Sequence, residues 1–274
     1  MALSLCVLMA SFNRRAQTMR CLQALFASSG LGELRLHVIL VDDGSSDGTA
    51  QAVTLAYPQV QLLRADGTLY WCRAMHLAFA QALVVGFDHY LWLNDDTLVQ
   101  PDALQRLLAC DQGTEPVIVA GSAVDAQTGQ PSYGGHRRIS RWRLTSWRLV
   151  PAGPQAQSID IFDGNLVLIN AAAAARVGNL DPAFEHAMGD TDYALRARRL
   201  GIAVRLAPGV LATCTANRRQ GSFLDPALPR RERWRLMQDR KGLPWRSWLH
   251  FVRRHTGPWW PGYFVWPYLK VMSK

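Results

Sequence analysis

The sequence predicts an α/β fold in which a mostly parallel sheet carries helices on both of its faces. The first observation is that short apolar runs alternate with segments of helical spacing through the first 125 residues. The second is the composition, because 49% hydrophobic and 19% charged residues are typical of a folded globular protein. The third is the length of 274 residues, which suits one large domain or one domain with a small appendage.

Five continuous apolar runs predict buried strands at residues 3–10, 37–41, 60–63, 90–93 and 117–120. The segments between them predict helices at residues 13–29, 46–57, 69–85 and 101–110. Residues 126–158 lose this alternation, so we expect a loop-rich insertion or short antiparallel strands there. A helix over 190–200, ended by Gly201, and a late strand over 202–206 follow.

The five cysteines are scattered along the chain, and no two have the spacing of a zinc pair. This pattern excludes a disulfide scaffold and favours a reducing compartment. No apolar stretch reaches the roughly 20 residues that a membrane span needs. The N-terminus has no basic segment before its apolar run, so no signal peptide is expected and a cytoplasmic location is predicted.

The positive charge is concentrated in the C-terminal segment. The formal net charge is +9, yet residues 1–216 contain 17 basic and 18 acidic residues, whereas residues 217–274 contain 13 basic and 3 acidic ones. The same segment holds six of the ten tryptophans. Nucleic-acid-binding proteins more often spread their charge over the fold, so no nucleic acid is expected as a partner. A basic, tryptophan-rich terminus is typical of contact with an anionic membrane surface.

Acidic residues follow two of the predicted strands at the point where each strand ends. Asp42 and Asp43 follow the second strand, and Asp95 and Asp96 follow the fourth. Ligands bind at the carboxyl ends of the strands of a parallel sheet. Helix capping accounts for Asp47, but it does not account for two adjacent pairs of aspartates. Oxygen ligands in this position suit Mg²⁺ or Mn²⁺ holding a diphosphate.

Four motifs in this order resemble those of family 2 glycosyltransferases: Ala10-Ser11-Phe12-Asn13-Arg14, Asp42-Asp43-Gly44-Ser45-Ser46-Asp47-Gly48, Asn94-Asp95-Asp96-Thr97 and Gly189-Asp190-Thr191-Asp192. The resemblance covers about residues 3–215 and is closest to the bacterial rhamnosyltransferase-like enzymes of polysaccharide assembly. It implies a GT-A fold, an inverting mechanism, a nucleotide-diphosphate sugar donor and a glycan or lipid-linked acceptor.

The resemblance also implies roles for individual residues. Asp190 would be the catalytic base, and Asp96 would bind the divalent metal. The residues implied at the donor site are Ala10, Ser11, Phe12, Arg14, Asp42, Asp43, Gly67, Trp71, Asn94, Asp95, Gly164 and Asn165. Asp163 is the alternative base, and Asp192 is expected to pair with Arg196 one helical turn further on.

Three departures from the family pattern concern the site. Gly189 precedes the base where the family often has glutamate, and residues 68–73 lack the usual Gly-Asn-rich pattern. Cys214 to Asn217 follow the late strand where a histidine that assists the metal is common. Arg218 or Arg219 could neutralise the diphosphate instead of a metal.

The resemblance divides the chain into a GT-A domain over residues 1–217 and a basic, aromatic appendage over 218–274. Within the domain, residues 1–125 would bind the nucleotide and 126–217 the acceptor. The function classes left open are a glycosyltransferase, a non-catalytic nucleotide-sugar-binding subunit and a nucleotidyltransferase. A nucleotidyltransferase would be expected to have a glycine-rich phosphate loop near the N-terminus, which the sequence lacks.

The appendage has its own prediction. Residues 245–254 have helical periodicity, with Trp245, Trp248, Leu249 and Val252 on one face. One interpretation is that residues 231–274 attach the protein to the inner face of the cell membrane. The other is that the aromatic face packs on the catalytic domain or on a second copy in a homodimer.

Overall fold

The computed structural model describes residues 2–111, 113, 115–140, 145–216 and 220–273. All five predicted strands are present, as β1, β2, β3, β4 and β6 of the following series. The strands are β1 (Ser4–Ser11), β2 (Arg35–Asp42), β3 (Val60–Arg64), β4 (His89–Leu93), β5 (Leu98–Val99), β6 (Val117–Val124), β7 (Pro131–Tyr133), β8 (Gly135–Arg138), β9 (Trp147–Leu149), β10 (Gln157–Ser158), β11 (Ile161–Phe162), β12 (Leu166–Asn170) and β13 (Ala203–Thr213).

The helices lie between and after the strands, and the four predicted between the first five strands are present. They are α1 (Arg15–Phe26), α2 (Thr49–Ala56), α3 (Tyr70–Val85), α4 (Ala103–Leu108), α5 (Ala171–Val177), α6 (Gly189–Arg199), α7 (Arg230–Gln238), α8 (Trp245–His255) and α9 (Trp260–Ser273).

The main sheet is mixed and mostly parallel, with the strand order β10-β13-β6-β12-β4-β1-β2-β3. Strands β4, β1, β2 and β3 are parallel neighbours, and β13 is parallel to β6. Between these two groups lies β12, which is antiparallel to both β4 and β6. The predicted irregular region contributes the short strands β7 to β10, and a second, antiparallel sheet has the order β11-β8-β9.

The hydrophobic core fills both faces of the main sheet. Side chains alternate along β1, so that Cys6 and Leu8 belong to one buried cluster while Leu5 and Val7 belong to the other. Helix α3 covers the first cluster and α1 the second. The predicted layering, with helices on both faces of the sheet, is therefore confirmed.

Helix α8 lies where the periodicity predicted it, but its buried face is rotated from the predicted one. Trp245 is 50% exposed, whereas Phe251 is buried together with Trp248 and Val252. These three side chains join the cluster that contains Phe184 and other domain residues. Helix α8 therefore packs on the domain, and the boundary proposed at residue 217 does not separate two hydrophobic cores.

Helix α9 packs one side on the protein and leaves an apolar side exposed. The exposed side chains on α9 and just before it include Trp259, Val265, Trp266 and Leu269. Tyr263, Phe264 and Tyr268 on the opposite side pack against the core. None of the described helices has the length and apolarity that crossing a bilayer requires.

Candidate active site

The carboxyl ends of β1, β2 and β4 bring the predicted donor residues to one edge of the sheet. Ala10 pairs with Val41 and Ser11 with Asp42 in the parallel register of β1 and β2. Asn94, Asp95 and Asp96 follow the last residue of β4, which is parallel to β1 on its other side. The sheet itself therefore positions the acidic edge that the sequence predicted.

Asp43 fixes the turn that leads into α3. Its carboxylate accepts hydrogen bonds from the backbone N–H groups of Gly67, Leu69 and Tyr70, at 3.1, 3.2 and 2.8 Å. Asp42 accepts one bond through Oδ1, from the N–H of Ser45 at 3.2 Å. Asp43 is thus bonded to three backbone amides in the turn before α3 and at its first residue.

Phe12 and Gly67 meet at the open side of this edge. Phe12 is 50% exposed, and its ring lies against Gly67, where a Cβ would come within 3.7 Å of Cε2. Gly67 has φ +90°, a backbone conformation that favours glycine. An exposed aromatic face beside bare backbone is suited to stacking on a planar ring.

Arg14 joins the two aspartates that follow β4. Its Nη1 lies 3.1 Å from Asp95 Oδ1 and 2.5 Å from Asp96 Oδ2. Asp95 is buried, and the buried hydroxyls of Ser11 and Thr18, 2.8 Å apart, lie beside it. Ser11 therefore contacts the Thr18 hydroxyl that donates a hydrogen bond to Asp95.

Burial raises the pKa of the Asp95 carboxyl to about 6, although the charge of Arg14 acts in the opposite direction. The charge of Asp96 adds to the rise. Arg14 keeps a raised pKa, because the two carboxylates outweigh its own burial. Arg14 is thus a cation between two acids of different exposure, and Asp96 is the more exposed of the two acids.

A cleft of about 400 Å³ opens beside Asp96, and Arg14, Arg20 and Cys214 are among its lining residues. Burial raises the pKa of the Cys214 thiol to about 12, so it is protonated at neutral pH and donates to Asp96 Oδ1 at 3.5 Å. Cys214 thus acts as a hydrogen-bond donor where the family often has a histidine.

The donor set fits a divalent ion that is held mainly by a diphosphate. No group of three His, Cys, Asp or Glu side chains in the described part of the chain could hold a metal ion alone. Mg²⁺ commonly takes one or two protein carboxylates and completes its shell with substrate phosphates and water. The partly exposed carboxylate of Asp96 can supply that one ligand if Arg14 moves to the diphosphate.

Trp71 connects the donor edge with the segment beside Asp190. Its indole Nε1 donates to Asn94 Oδ1 at 2.7 Å, and its six-membered ring lies against Gly164, where a Cβ would come within 2.5 Å of Cζ2. The next residue, Asn165, is buried, and its backbone oxygen accepts a bond from the N–H of Asn94. These contacts bring Trp71, Asn94, Gly164 and Asn165 together.

Asp190 lies in the first turn of α6. Its Oδ2 accepts the N–H of Gly164 at 3.0 Å, and its Oδ1 accepts the N–H of Thr191 at 2.7 Å. Burial, with a smaller contribution from the nearby charge of Asp163, raises the pKa of Asp190 to about 6. A carboxylate of this kind is a stronger proton acceptor than an exposed aspartate and remains ionised at neutral pH.

The structure explains why glycine stands at position 189. Gly189 is buried against Cys72, and a Cβ there would overlap the Cys72 thiol. A glutamate at this position would have no room, so the base lacks an acidic neighbour on its N-terminal side.

Asp192 has the structural role that its spacing predicted. It is fully buried and accepts a bond from Arg196 Nε at 2.8 Å. Two residues of α8, Arg254 and His255, also contact its Oδ1 at 2.8 Å each. These bonds lower the pKa of Asp192 to about 2 despite its burial.

Some predicted residues lie outside the described part of the chain, and some site residues had no sequence signal. Asn217, Arg218 and Arg219 lie outside the described residues. Arg20 in the cleft and His136 beside Asp163 were not predicted. The helical spacing of Arg14, Gln17 and Arg20 could have indicated that Arg20 lies in the cleft. Nothing in the local sequence indicated His136.

The chain matches the model of Glycosyl transferase family 2 over residues 6–178, which is more than half of its length. It therefore belongs to that family and is a glycosyltransferase. A curated relative is the N-acetylglucosaminyl-diphospho-decaprenol L-rhamnosyltransferase of Mycobacterium tuberculosis, known from two strains. It is 26% identical over 206 residues, which cover 66% of this chain and 67% of the relative.

Solved structures of glycosyltransferases share the GT-A fold with this chain at low sequence identity. GalNAc-T7 with UDP, GalNAc and Mn²⁺ has a TM-score of 0.64 at 14% identity, over 83% of this chain and 45% of that one. The S. aureus protein TarS 1–349 has a TM-score of 0.56 at 15% identity, over 78% of this chain and 60% of that one. The mannosyltransferase PcManGT of Pyrobaculum calidifontis, in complex with GDP-Man and Mn²⁺, has a TM-score of 0.55 at 19% identity. The match covers 90% of this chain and 61% of that one. This chain spans about half to three fifths of the length of these three chains.

Proposed function

We propose that the protein transfers a sugar from a nucleotide-diphosphate donor to a hydroxyl of a lipid-linked or glycan acceptor in bacterial cell-surface polysaccharide synthesis. The single observation that carries this proposal is Asp190, a largely buried carboxylate with a raised pKa that Trp71 and Gly164 connect to the acidic donor edge. The name of the mycobacterial relative supports rhamnose as the first sugar to test and a lipid-linked N-acetylglucosaminyl diphosphate as the first acceptor.

The proposed reaction is a single displacement that inverts the anomeric carbon. The acceptor oxygen bonds to that carbon while the bond from the carbon to the diphosphate oxygen breaks. Asp190 takes the hydroxyl proton, because an alcohol is a poor nucleophile until a base removes that proton. Attack comes from the face opposite the leaving group, which produces the inversion.

The donor is held by the residues of the sheet edge. Asp42 would accept a hydrogen bond from the base or ribose, and Phe12 would stack on the base above Gly67. Arg14 and Arg20 in the cleft would face the diphosphate and stabilise the charge that it gains as it leaves. A divalent metal bound at Asp96 would supply further positive charge to the same oxygens.

The test of this function is a screen followed by a transfer assay. UDP-, dTDP- and GDP-sugars, with rhamnose among the sugars, are compared by thermal shift, with and without Mn²⁺. Product is then measured with the stabilising donor and the lipid-linked acceptor. Asp190→Asn should keep donor affinity and reduce turnover by about 10²–10⁴-fold, the usual contribution of a general base.

Asp102→Asn is the control for this assay, because the Asp102 side chain is 51% exposed and pairs with Arg106 one turn away. Its turnover should equal that of the wild type. Donor binding without any transfer by the wild type would favour the binding-subunit alternative over the enzyme. Turnover that survives in Asp190→Asn would exclude Asp190 as the base.

We also propose that the protein works as a peripheral protein at the inner face of the cell membrane, where a lipid-linked acceptor would be found. The exposed apolar side of α9 supports this, since Trp259 is 72% and Trp266 67% exposed. Arginines accompany the tryptophans, and Arg253 lies 4.8 Å from the ring centre of Trp260. Tryptophan with arginine suits the headgroup layer of an anionic bilayer.

Point substitutions test this better than deletion of residues 231–274, because deletion would remove α8 from the core. The double variant Trp266→Ser and Leu269→Ser should lose co-sedimentation with phosphatidylglycerol vesicles. Leu55→Ser is the matched control, since Leu55 is an exposed leucine on α2. Equal sedimentation of all three proteins would contradict membrane attachment, and loss of a dimer in the double variant would favour the homodimer.

A further inference from the structure

The small antiparallel sheet carries an ion pair to the immediate vicinity of Asp190. His136 lies on β8, and Asp163 directly follows β11, its partner strand. The residue after Asp163 is Gly164, whose N–H bonds to Asp190. The second sheet thus places a histidine and an acid beside the proposed base, although His136 precedes it by 54 residues in the sequence.

Asp163 is held by two donors. Its Oδ2 accepts the N–H of Gly134 at 3.0 Å and a bond from His136 Nε2 at 2.9 Å. Both side chains of the pair are mostly buried, with 21% of His136 and 28% of Asp163 exposed. At this burial, solvent weakens the interaction of the two charges less than it does at the protein surface.

The charges of this pair act on Asp190 in opposite directions. Asp163 raises the pKa of Asp190, and His136 lowers it. Burial lowers the pKa of His136, but its hydrogen bond to Asp163 and the charges of Asp163 and Asp190 raise it overall. His136 therefore keeps its proton to a higher pH than an ordinary histidine.

The other titratable groups around this pair do not replace His136. The Cys72 thiol lies near Asp190, and burial raises its pKa so far that it stays neutral. Asp160, which follows β10, bonds through its backbone N–H to the His136 oxygen, while its carboxylate contacts Arg198 at 3.1 Å. Among the described residues, His136 is the basic side chain that contacts the Asp163 carboxylate, at 2.9 Å.

We propose that His136 is a positioning residue for the base: as an imidazolium bonded to Asp163, it neutralises the acid beside Asp190 and so keeps Asp190 ionised and ready to accept the acceptor proton. The inference rests on the proposed role of Asp190 as the base. It gives the small sheet of the acceptor half a function, which is to set the charge around that base.

The test is a titration that needs no substrate. The carboxyl carbon of Asp190 is followed by ¹³C NMR in protein labelled at aspartate and is assigned with Asp190→Asn. His136→Gln removes the cation and should raise the pKa of Asp190 by about 0.5–1 unit. Asp163→Asn removes the acid and should lower it by a similar amount. His37→Gln, at an exposed bond to Gln61 on the far side of β2, should leave it unchanged.

The opposite signs separate this role from a structural one. If His136 only supported the fold, the two substitutions would leave the pKa of Asp190 in place or move it in the same direction, and the inference would be wrong. Should His136→Gln fail to fold, the His136 imidazole is titrated in the wild type and in Asp163→Asn. A pKa above the ordinary 6.5 or so that falls on substitution supports the inference, and an unchanged one overturns it.

The transfer assay distinguishes this inference from the proposed function. With an active donor, the acidic limb of the kcat/KM profile should move up in His136→Gln and down in Asp163→Asn, by the shifts found in the titration. Shifts in the titration with no movement of the limb would mean that Asp190 is not the base, which would contradict the proposed function and leave the electrostatic coupling intact.

Discussion

Asp190 and Asp95 are carboxyl groups whose pKa burial raises to about 6, yet their surroundings differ. Asp95 is bonded to the cation Arg14, whereas Asp190 is bonded to two backbone amides. A cation partner suits a residue that organises a charged ligand. Neutral amide partners leave a carboxylate free to gain a proton, as a base requires.

The raised pKa of Asp190 predicts how turnover depends on pH. A carboxyl with a pKa of about 6 is ionised above that pH and protonated below it. Only the ionised form can accept a proton, so kcat/KM should fall about tenfold for each pH unit below about 6. The measurement is a pH–rate profile at fixed ionic strength. A profile that stays flat to about pH 4.5 would contradict this assignment.

Asp96→Asn tests the metal at the diphosphate. The substitution removes the charged ligand while keeping the shape of the side chain. Nucleotide-diphosphate affinity measured by calorimetry with Mn²⁺ should fall at least about tenfold, equivalent to about 1.4 kcal/mol. Without metal, the two proteins should differ little. Equal affinities under both conditions would contradict a role for Asp96 in metal binding.

At the scale of elements, Asp192 ties α6 to α8. Arg196 contacts it within α6, and Arg254 and His255 reach it from α8. Arg254 also contacts Asp181 at 2.6 Å, in the loop that leads to α6. The helix that carries the proposed base is therefore braced by the C-terminal segment.

Asp192→Asn should lower the free energy of unfolding by about 3 kcal/mol, because it leaves the partly buried Arg196 and Arg254 without their buried counter-charge. Because the folded pKa of Asp192 is about 2 and the unfolded one about 3.9, its contribution is present above about pH 4 and is lost as the pH falls toward 2. Urea unfolding at neutral pH measures the loss. Asp102→Asn, at an exposed pair, should change it by about 1 kcal/mol or less.

The elements could be predicted from sequence wherever the physics is local. Apolar runs and helical spacing located β1 to β4 and α3, and the parallel sheet then brought Asp42 and Asp95 to one edge. The face of α8 was not predictable, because Arg254 and His255 are polar and are drawn inward by Asp192, more than 60 residues away. His136 escaped prediction for the same reason, since its partner Asp163 follows another strand, β11, and lies 27 residues away.

At the scale of the whole molecule, α8 belongs to the core. Phe251→Ala should therefore destabilise the entire protein by about 3–5 kcal/mol. Trp245→Ala, at a half-exposed position of the same helix, should cost far less. Circular dichroism and tyrosine absorbance should report the same single transition in both variants. Loss of α8 signal before the rest of the protein unfolds would mean that the helix is an independent appendage.

The antiparallel strand β12 also has a consequence for how the protein is made. Strand β6 reaches β4 only through β12, because β12 lies between them in the sheet. As the nascent chain leaves the ribosome, β1 to β4 can pair with one another at once. Strand β6 can pair with β7, but it cannot join β1 to β4 until residues 166–170, which form β12, have emerged. Pairing of β6 with the rest of the sheet is thus delayed until β12 is available, and β13, which follows α6 in the chain, joins β6 last.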